Sequence, residues 1–185
     1  MILIFNGGVK TLAVREVLQL GNPLLREACS TVKDPCSSEI AAVLADMQDT
    51  LTHWRETTTY GRGIAAPQIG VMKRIVLLNI DHPWPLINPT ITERSPETMI
   101  VWDACLSFLC IFAQVTRNSW VKVRYQDTTG TWHEMKAEGL LSELLQHEID
   151  HLDGILALDH MTDIRTLCTR EEFEKRYRAE SPYRQ

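Results

Sequence analysis

Gln146-His147-Glu148-Ile149-Asp150-His151-Leu152 is the stretch on which the reading of this chain turns. At about 100° per residue, positions four apart share a helix face, so the imidazoles of His147 and His151 can reach one ion. Glu148 turns its carboxylate toward the same pocket, where it can take a proton from a metal-bound water. Leu140 and Leu144 fall on that face too, which predicts a site where the helix meets the core. Gly139 and Gly154 bracket the helix. A short His-Glu-x-x-His also arises by chance on helix surfaces, so a third ligand decides the matter.

The 185 residues are enough for one domain with a sizeable core, predicted to run over 1–185, with 1–16 as an N-terminal extension. Hydrophobic content of 44% and charged content of 23% are those of a soluble globular protein. A net charge of -5 and a pI near 5.7 argue against direct nucleic-acid binding and against an anionic membrane surface. No apolar run approaches the roughly 18 residues that span a bilayer. Residues 1–5 lack the basic start and cleavage site of a signal peptide. Five cysteines (Cys29, Cys36, Cys105, Cys110 and Cys168) without a Cys-x-x-Cys pair read as reduced thiols in a cytoplasmic setting, most of them small buried hydrophobes.

Along the chain, Gly21-Asn22-Pro23 is a turn into a short helical piece. Ile40, Val43, Leu44, Met47, Leu51 and Trp54 recur at three- and four-residue steps, an amphipathic helix over 38–54 capped by Ser37 or Ser38. Gly61-Arg62-Gly63-Ile64-Ala65-Ala66-Pro67-Gln68 is a tight loop whose small residues allow a close backbone approach; it is not a phosphate loop. Residues 73–80 read as a buried strand, Pro83 and Pro85 as loop, and 86–93 and 99–106 as further strands, the latter carrying Cys105. Residues 115–126 alternate, with Val121, Val123 and Tyr125 inward, and pair with 131–137 as a hairpin. A polar helix with Thr169 and Glu172 as a capping box ends the pattern. The fold class is α+β: antiparallel sheets around a central helix carrying the motif, with a C-terminal helix.

Gly63-Ile64-Ala65-Ala66-Pro67-Gln68, Cys105-Leu106-Ser107 and His147-Glu148-Ile149-Asp150-His151 resemble, in order and spacing, the three motifs of peptide deformylases. Gly21–Arg26 and Leu86–Pro89 resemble that family's flanking segments, and the likeness runs from Val17 to Met161. It implies Cys105, His147 and His151 as ligands of one divalent metal ion, Fe²⁺ first, with Zn²⁺, Ni²⁺ or Co²⁺ as other occupants. It implies Glu148 as the proton carrier, and the Gln68 amide and Leu106 backbone N–H as oxyanion donors. It implies Gly63, Ile64, Ala104 and Phe108 along the substrate. The reaction implied is hydrolysis of the N-formyl group from the initiator methionine of a nascent peptide, at the ribosome, by a monomer or homodimer.

The second motif departs from the family pattern Glu-Gly-Cys-Leu-Ser: here it is Asp103-Ala104-Cys105-Leu106-Ser107. Asp103, one methylene shorter, is expected to pair with Arg117. The Ala104 methyl is expected to narrow the cleft or to exclude a positive φ. The apolar run 108–113 reads either as a strand on the core or as a substrate groove with altered preference, and Cys110 within it as a buried thiol. Asp150 reads as a carboxylate behind the ligands; His82, His133 and His160 read as structural or solvated. Two alternatives remain: a metal-binding deformylase-like protein with little or no turnover, and a zincin-type metallopeptidase, which lacks its third-ligand sequence here.

Overall fold

The computed structural model describes residues 13–180 and the backbone of two short paired strands, Leu3–Phe5 (β1) and Gly8–Lys10 (β2). The expected extension over 1–16 therefore falls only partly within the described residues. A short 3-10 turn, Pro23–Arg26, leads to helix α1, Ser38–Thr58, whose N-cap Ser37 accepts from the Ile40 N–H. There follow β3 (Gly63–Ala65), β4 (Ile75–Asn79), β5 (Pro83–Arg94), β6 (Thr98–Asp103), β7 (Ile111–Asn118), β8 (Trp120–Gln126) and β9 (Trp132–Glu138). Helix α2, Gly139–Leu152, carries the motif, and β10 (Cys168–Thr169) leads into helix α3, Arg170–Arg176.

Five antiparallel strands in the order β3-β4-β5-β8-β9 form the main sheet, and β10-β7-β6 form a second. The apolar run of β4 shows why the main sheet sits centrally. Val76 and Leu78 pack with Leu144, Leu145 and Leu152 of α2, whereas Ile75 and Leu77 pack with Ile40, Met47 and Leu51 of α1. A strand buried on both faces has no polar side to show, so it reads as continuous rather than alternating. The expected α+β layering is the one observed.

Four elements differ from the sequence expectation, each for a physical reason. Pro83 and Pro85 lie within β5, not in a loop; β8 joins that strand only from Ile87 onward, so the prolines sit where one side is unpaired. The alternating run 115–126 is two strands in different sheets, parted at Ser119. Burial alternates through the break (Val115, Arg117, Val121, Val123), so periodicity does not reveal it. The strand expected over 99–106 stops at Asp103, and Cys105 caps a 3-10 turn, Leu106–Phe108. The Thr169 hydroxyl accepts from Glu172 N–H, but the Glu172 carboxylate bonds Arg176 at 2.7 Å, leaving half a capping box.

The run 108–113 joins the core as a strand from Ile111, with Phe108, Phe112 and Ala113 buried. Cys110 is exposed, as is Cys36, and Cys168 is half-buried; only Cys29 and Cys105 are buried thiols among the described residues. Leu140 is also displaced from its expected place: it is 50% exposed, while Leu144 is buried. No helix among the described residues is long and apolar enough to cross a membrane.

Candidate metal centre and catalytic cleft

Three elements meet at the site. Helix α2 supplies His147, Glu148 and His151; the turn after β6 supplies Cys105; a 3-10 turn, Ala66–Ile69, supplies Gln68. Cys105 Sγ lies 3.2 Å from His151 Nε2, and ligand atoms of Cys105, His147 and His151 all fall within 4.8 Å of one another. Sulfur and nitrogen bound to one tetrahedral ion at about 2.3 and 2.1 Å stand about 3.6 Å apart, so these donors fit a divalent metal with little movement. A thiolate with two imidazoles is a donor set suited to Fe²⁺ and Zn²⁺.

Behind the ligands lies a buried chain of charges. His147 Nδ1 is 3.0 Å from Asp103 Oδ1, which fixes the ring and leaves Nε2 for a metal. Asp103 accepts from Arg117 Nη2 at 3.1 Å, the pairing expected from sequence despite the shorter side chain. Arg117 Nη1 also bonds Asp150, whose Oδ2 lies 2.9 Å from His160 Nε2. His160 is thus part of this network and not merely solvated. Burial opposes every charge here, but His147 and Arg117 outweigh it and hold Asp103 well below the usual carboxylate range. The same pairing holds His147 well above the usual imidazole value, while burial, with His147 beside it, lowers His151 to about 3.

Glu148 is buried, and its Oε2 has no hydrogen-bond partner among the described residues. Burial pushes its pKa up to about 7, with the Asp103 and Glu143 carboxylates adding to burial and His147 and Arg62 opposing it. The strand backbone comes unusually near: a Cβ at Gly63 would sit 2.6 Å from Glu148 Oε1. This is the close approach that the small residues of the loop allow.

Gln68 is held from both ends. Its Oε1 accepts from the Ala65 N–H at 2.8 Å, and its Nε2 donates to Cys105 Sγ at 3.3 Å and Ser107 Oγ at 3.2 Å. Leu106 opens the 3-10 turn, a position whose N–H has no partner within the turn.

A cleft faces these groups, lined by Gly63, Gln68, Ala104, Cys105, His147 and Glu148 on the side of the chemistry. Gly63 and Ala104, expected along the substrate, line this cleft. Of the other two residues expected there, Ile64 is packed with Met47 and Leu51 of α1, and Phe108 with Leu25, Leu156 and Ala157. Ala104 does not require a left-handed backbone; among the described non-glycine residues only Thr59 and Asn88 have positive φ. Its methyl packs beside Tyr60, Trp102, Phe112 and Phe173.

Three cleft residues went unnoticed in the sequence. Arg62 and Glu143 form an ion pair of 2.6 Å in the cleft wall, with Glu143 fully buried and its carboxylate within 4.8 Å of ligand atoms of Asp103 and His147. A signal existed, since Glu143 precedes His147 by four and shares its helix face. Tyr60 forms a further wall. Its hydroxyl lies 3.2 Å from Glu174 Oε1 of α3, and the Arg170 guanidinium stacks 4.7 Å over its ring. Nothing local to Tyr60 announces partners more than a hundred residues away.

Soft donors gathered at one end of a cleft, beside a carboxylate able to exchange a proton near neutrality, are what water-driven bond cleavage at a metal requires. The class defined by fold and site is that of metal-dependent hydrolases. Comparison with known proteins narrows it. Residues 14–166 match the model of the polypeptide deformylase family. The peptide deformylase of Rhizorhabdus wittichii is 34% identical over 179 residues, covering 91% of this chain and 98% of that one. That of Desulfitobacterium hafniense is 40% identical over 149 residues, covering 80% and 95%. The crystal structure of peptide deformylase from Thermotoga maritima superposes with a TM-score of 0.75 at 33% identity, covering 81% of this chain and 99% of that one. A peptide deformylase from Synechococcus elongatus, in complex with actinonin, gives 0.77 at 27% identity, covering 95% and 92%. The chain belongs to the polypeptide deformylase family.

Proposed function

We propose that this chain is a metal-dependent hydrolase that removes the N-formyl group from formyl-methionyl peptides, releasing formate and a free amino terminus. One observation carries the mechanism: the buried Glu148 carboxylate, with Oε2 unpartnered, faces the same cleft as Cys105 and His147.

Cys105, His147 and His151 would hold the ion, and Asp103 would orient His147. The ion, Fe²⁺ in our reading with Zn²⁺, Ni²⁺ and Co²⁺ able to substitute, supplies Lewis acidity that makes hydroxide available near neutral pH. Glu148 takes the proton of the attacking water and delivers it to the departing amine nitrogen; a pKa pushed up to about 7 suits it to both transfers. Gln68 Nε2, fixed through its own Oε1, and the Leu106 N–H donate to the tetrahedral oxyanion. Gly63 and Ala104 flank the bound peptide. The reading extends to a single domain over 1–185, monomeric or homodimeric, acting in the cytoplasm on chains emerging at the ribosome, without direct nucleic-acid or membrane contact.

The test is formate release from a short formyl-methionyl peptide by protein prepared without oxygen and loaded with Fe²⁺, Co²⁺ or Ni²⁺. Turnover lost in Glu148→Ala supports the reading. Stoichiometric metal with no formate released moves the protein to the alternative, a metal-binding relative without turnover.

A further inference from the structure

The cleft wall beside His147 is polar in an unexpected way. Arg62 Nη2 donates to Glu143 Oε2 at 2.6 Å, and both residues line the same cleft as Cys105 and Glu148. Glu143 is 0% exposed, yet its other oxygen, Oε1, has no hydrogen-bond partner among the described residues. A buried acceptor left unpaired is costly, and such groups in native structures are commonly satisfied by what binds there. The Glu143 carboxylate lies within 4.8 Å of a ring nitrogen of His147 and of the Asp103 carboxylate, close enough to the ligands for a side chain on the residue bearing the formyl group to meet it. The cavity as it stands is about 30 Å³, lined by Tyr60, Arg62 and Leu144, so a substrate side chain enters it only as these walls move apart.

From these observations we propose that the Arg62–Glu143 pair is the specificity determinant of the cleft. Glu143 Oε1 accepts a hydrogen bond from a neutral N–H or O–H at the end of the substrate's first side chain. The inference rests on the deformylase reading and refines its substrate class: formylated residues with amide- or hydroxyl-ended side chains, glutamine being nearest methionine in length, are accepted alongside methionine. A neutral donor suits the site because Arg62 already faces Glu143 and the Asp103 and His147 groups lie beside it, so a further full charge would be buried without a counterion of its own. The purely aliphatic norleucine, of similar length, leaves Oε1 unpaired.

The experiment compares formyl-glutaminyl and formyl-norleucyl tripeptides on the metal-loaded enzyme. Binding of the corresponding unformylated peptides, Gln-Ala-Ser and norleucyl-Ala-Ser, is measured by calorimetry. The wild type is expected to favour glutamine by about tenfold or more in kcat/KM and in Kd, the discrimination given by a hydrogen bond to a charged group. The double variant Arg62→Leu/Glu143→Leu removes both charges at once and is expected to reverse the order. Preference for norleucine in the wild type, or an unchanged ratio in the double variant, overturns the proposal. If no peptide is turned over but calorimetry keeps the glutamine preference, the specificity role stands and the activity reading is what fails. If the double variant does not fold, the wild-type comparison alone decides.

Discussion

Arg117 is the residue whose removal is expected to cost this fold most for its size. It lies 2% exposed between two carboxylates, donating from Nη2 to Asp103 and from Nη1 to Asp150. Arg117→Met keeps most of the volume but leaves both carboxylates buried without their cation, and breaking one side of a buried ion pair costs about 3–5 kcal/mol. For a domain of this length each kcal/mol lowers Tm by about 2–4 °C, so the expected drop is about 6–20 °C at pH 7. The pH dependence has a definite sign. Asp103 and Asp150 are both held below their ordinary value of 3.8, Arg117 being one of the groups that overcome burial in each. Stability from a depressed carboxylate is present above the unfolded pKa and is lost as pH falls through the folded one. The deficit of Arg117→Met relative to wild type should therefore be full at pH 7 and shrink as pH drops below about 4. Arg117→Lys keeps a charge without the two-pronged geometry and should fall between the two. Calorimetric or circular-dichroism melts of metal-free protein at pH 7 and at about pH 3 would read this. A loss under about 1 kcal/mol at pH 7, or one that does not shrink in acid, refutes the argument.

Four further outcomes are expected. In Gly63→Ala the new methyl, 2.6 Å from Glu148 Oε1, should displace the carboxylate and cut kcat by about tenfold or more, with Tm little changed; unaltered formate release would detach Glu148 position from rate. In Gly154→Ala, a φ of +72° and a Cβ 2.5 Å from the Arg26 carbonyl oxygen should destabilise the protein by about 2 kcal/mol or more in urea melts. Iodoacetamide at pH 8, read by mass spectrometry, should label exposed Cys36 and Cys110 and spare Cys29, whose thiol burial pushes up to about 11; labelling of Cys29 as fast as Cys36 would contradict its burial. Ala104→Gly should open the cleft and raise turnover of a formyl-methionyl peptide, and an unchanged rate would clear the methyl of any role.

What the sequence disclosed was whatever is encoded by spacing along one element. His147, Glu148 and His151 share a helix with a clear period, and α1, β4 and the β8–β9 hairpin follow from apolar repeats and turn residues. The family likeness added Cys105 and Gln68, which no local pattern could connect to the helix. Long-range facts stayed hidden. Ser119 carries no mark that the chain leaves one sheet for another, because burial alternates straight through it. The prolines of β5 are tolerable only because β8 pairs later, which depends on register. Nothing near Glu143 in the sequence points to Arg62, its partner 81 positions earlier. Ile64 and Phe108 flank motif residues in sequence, yet their side chains turn into the core.

The clamp on Tyr60 has a consequence for how the protein comes into being. One wall of the cleft is made early in synthesis, at residue 60, and its restraints, Arg170 and Glu174, are made late. Until α3 is free to dock, Tyr60 has neither the carboxylate at its hydroxyl nor the guanidinium over its ring. Folding that proceeds from the N-terminal side during translation can form the main sheet, place α2 and set Tyr60 against Phe112, 5.6 Å away, but leaves this wall without its charged restraints. The protein is therefore built to gain its finished cleft only after its helix α3 has left the machine that made it.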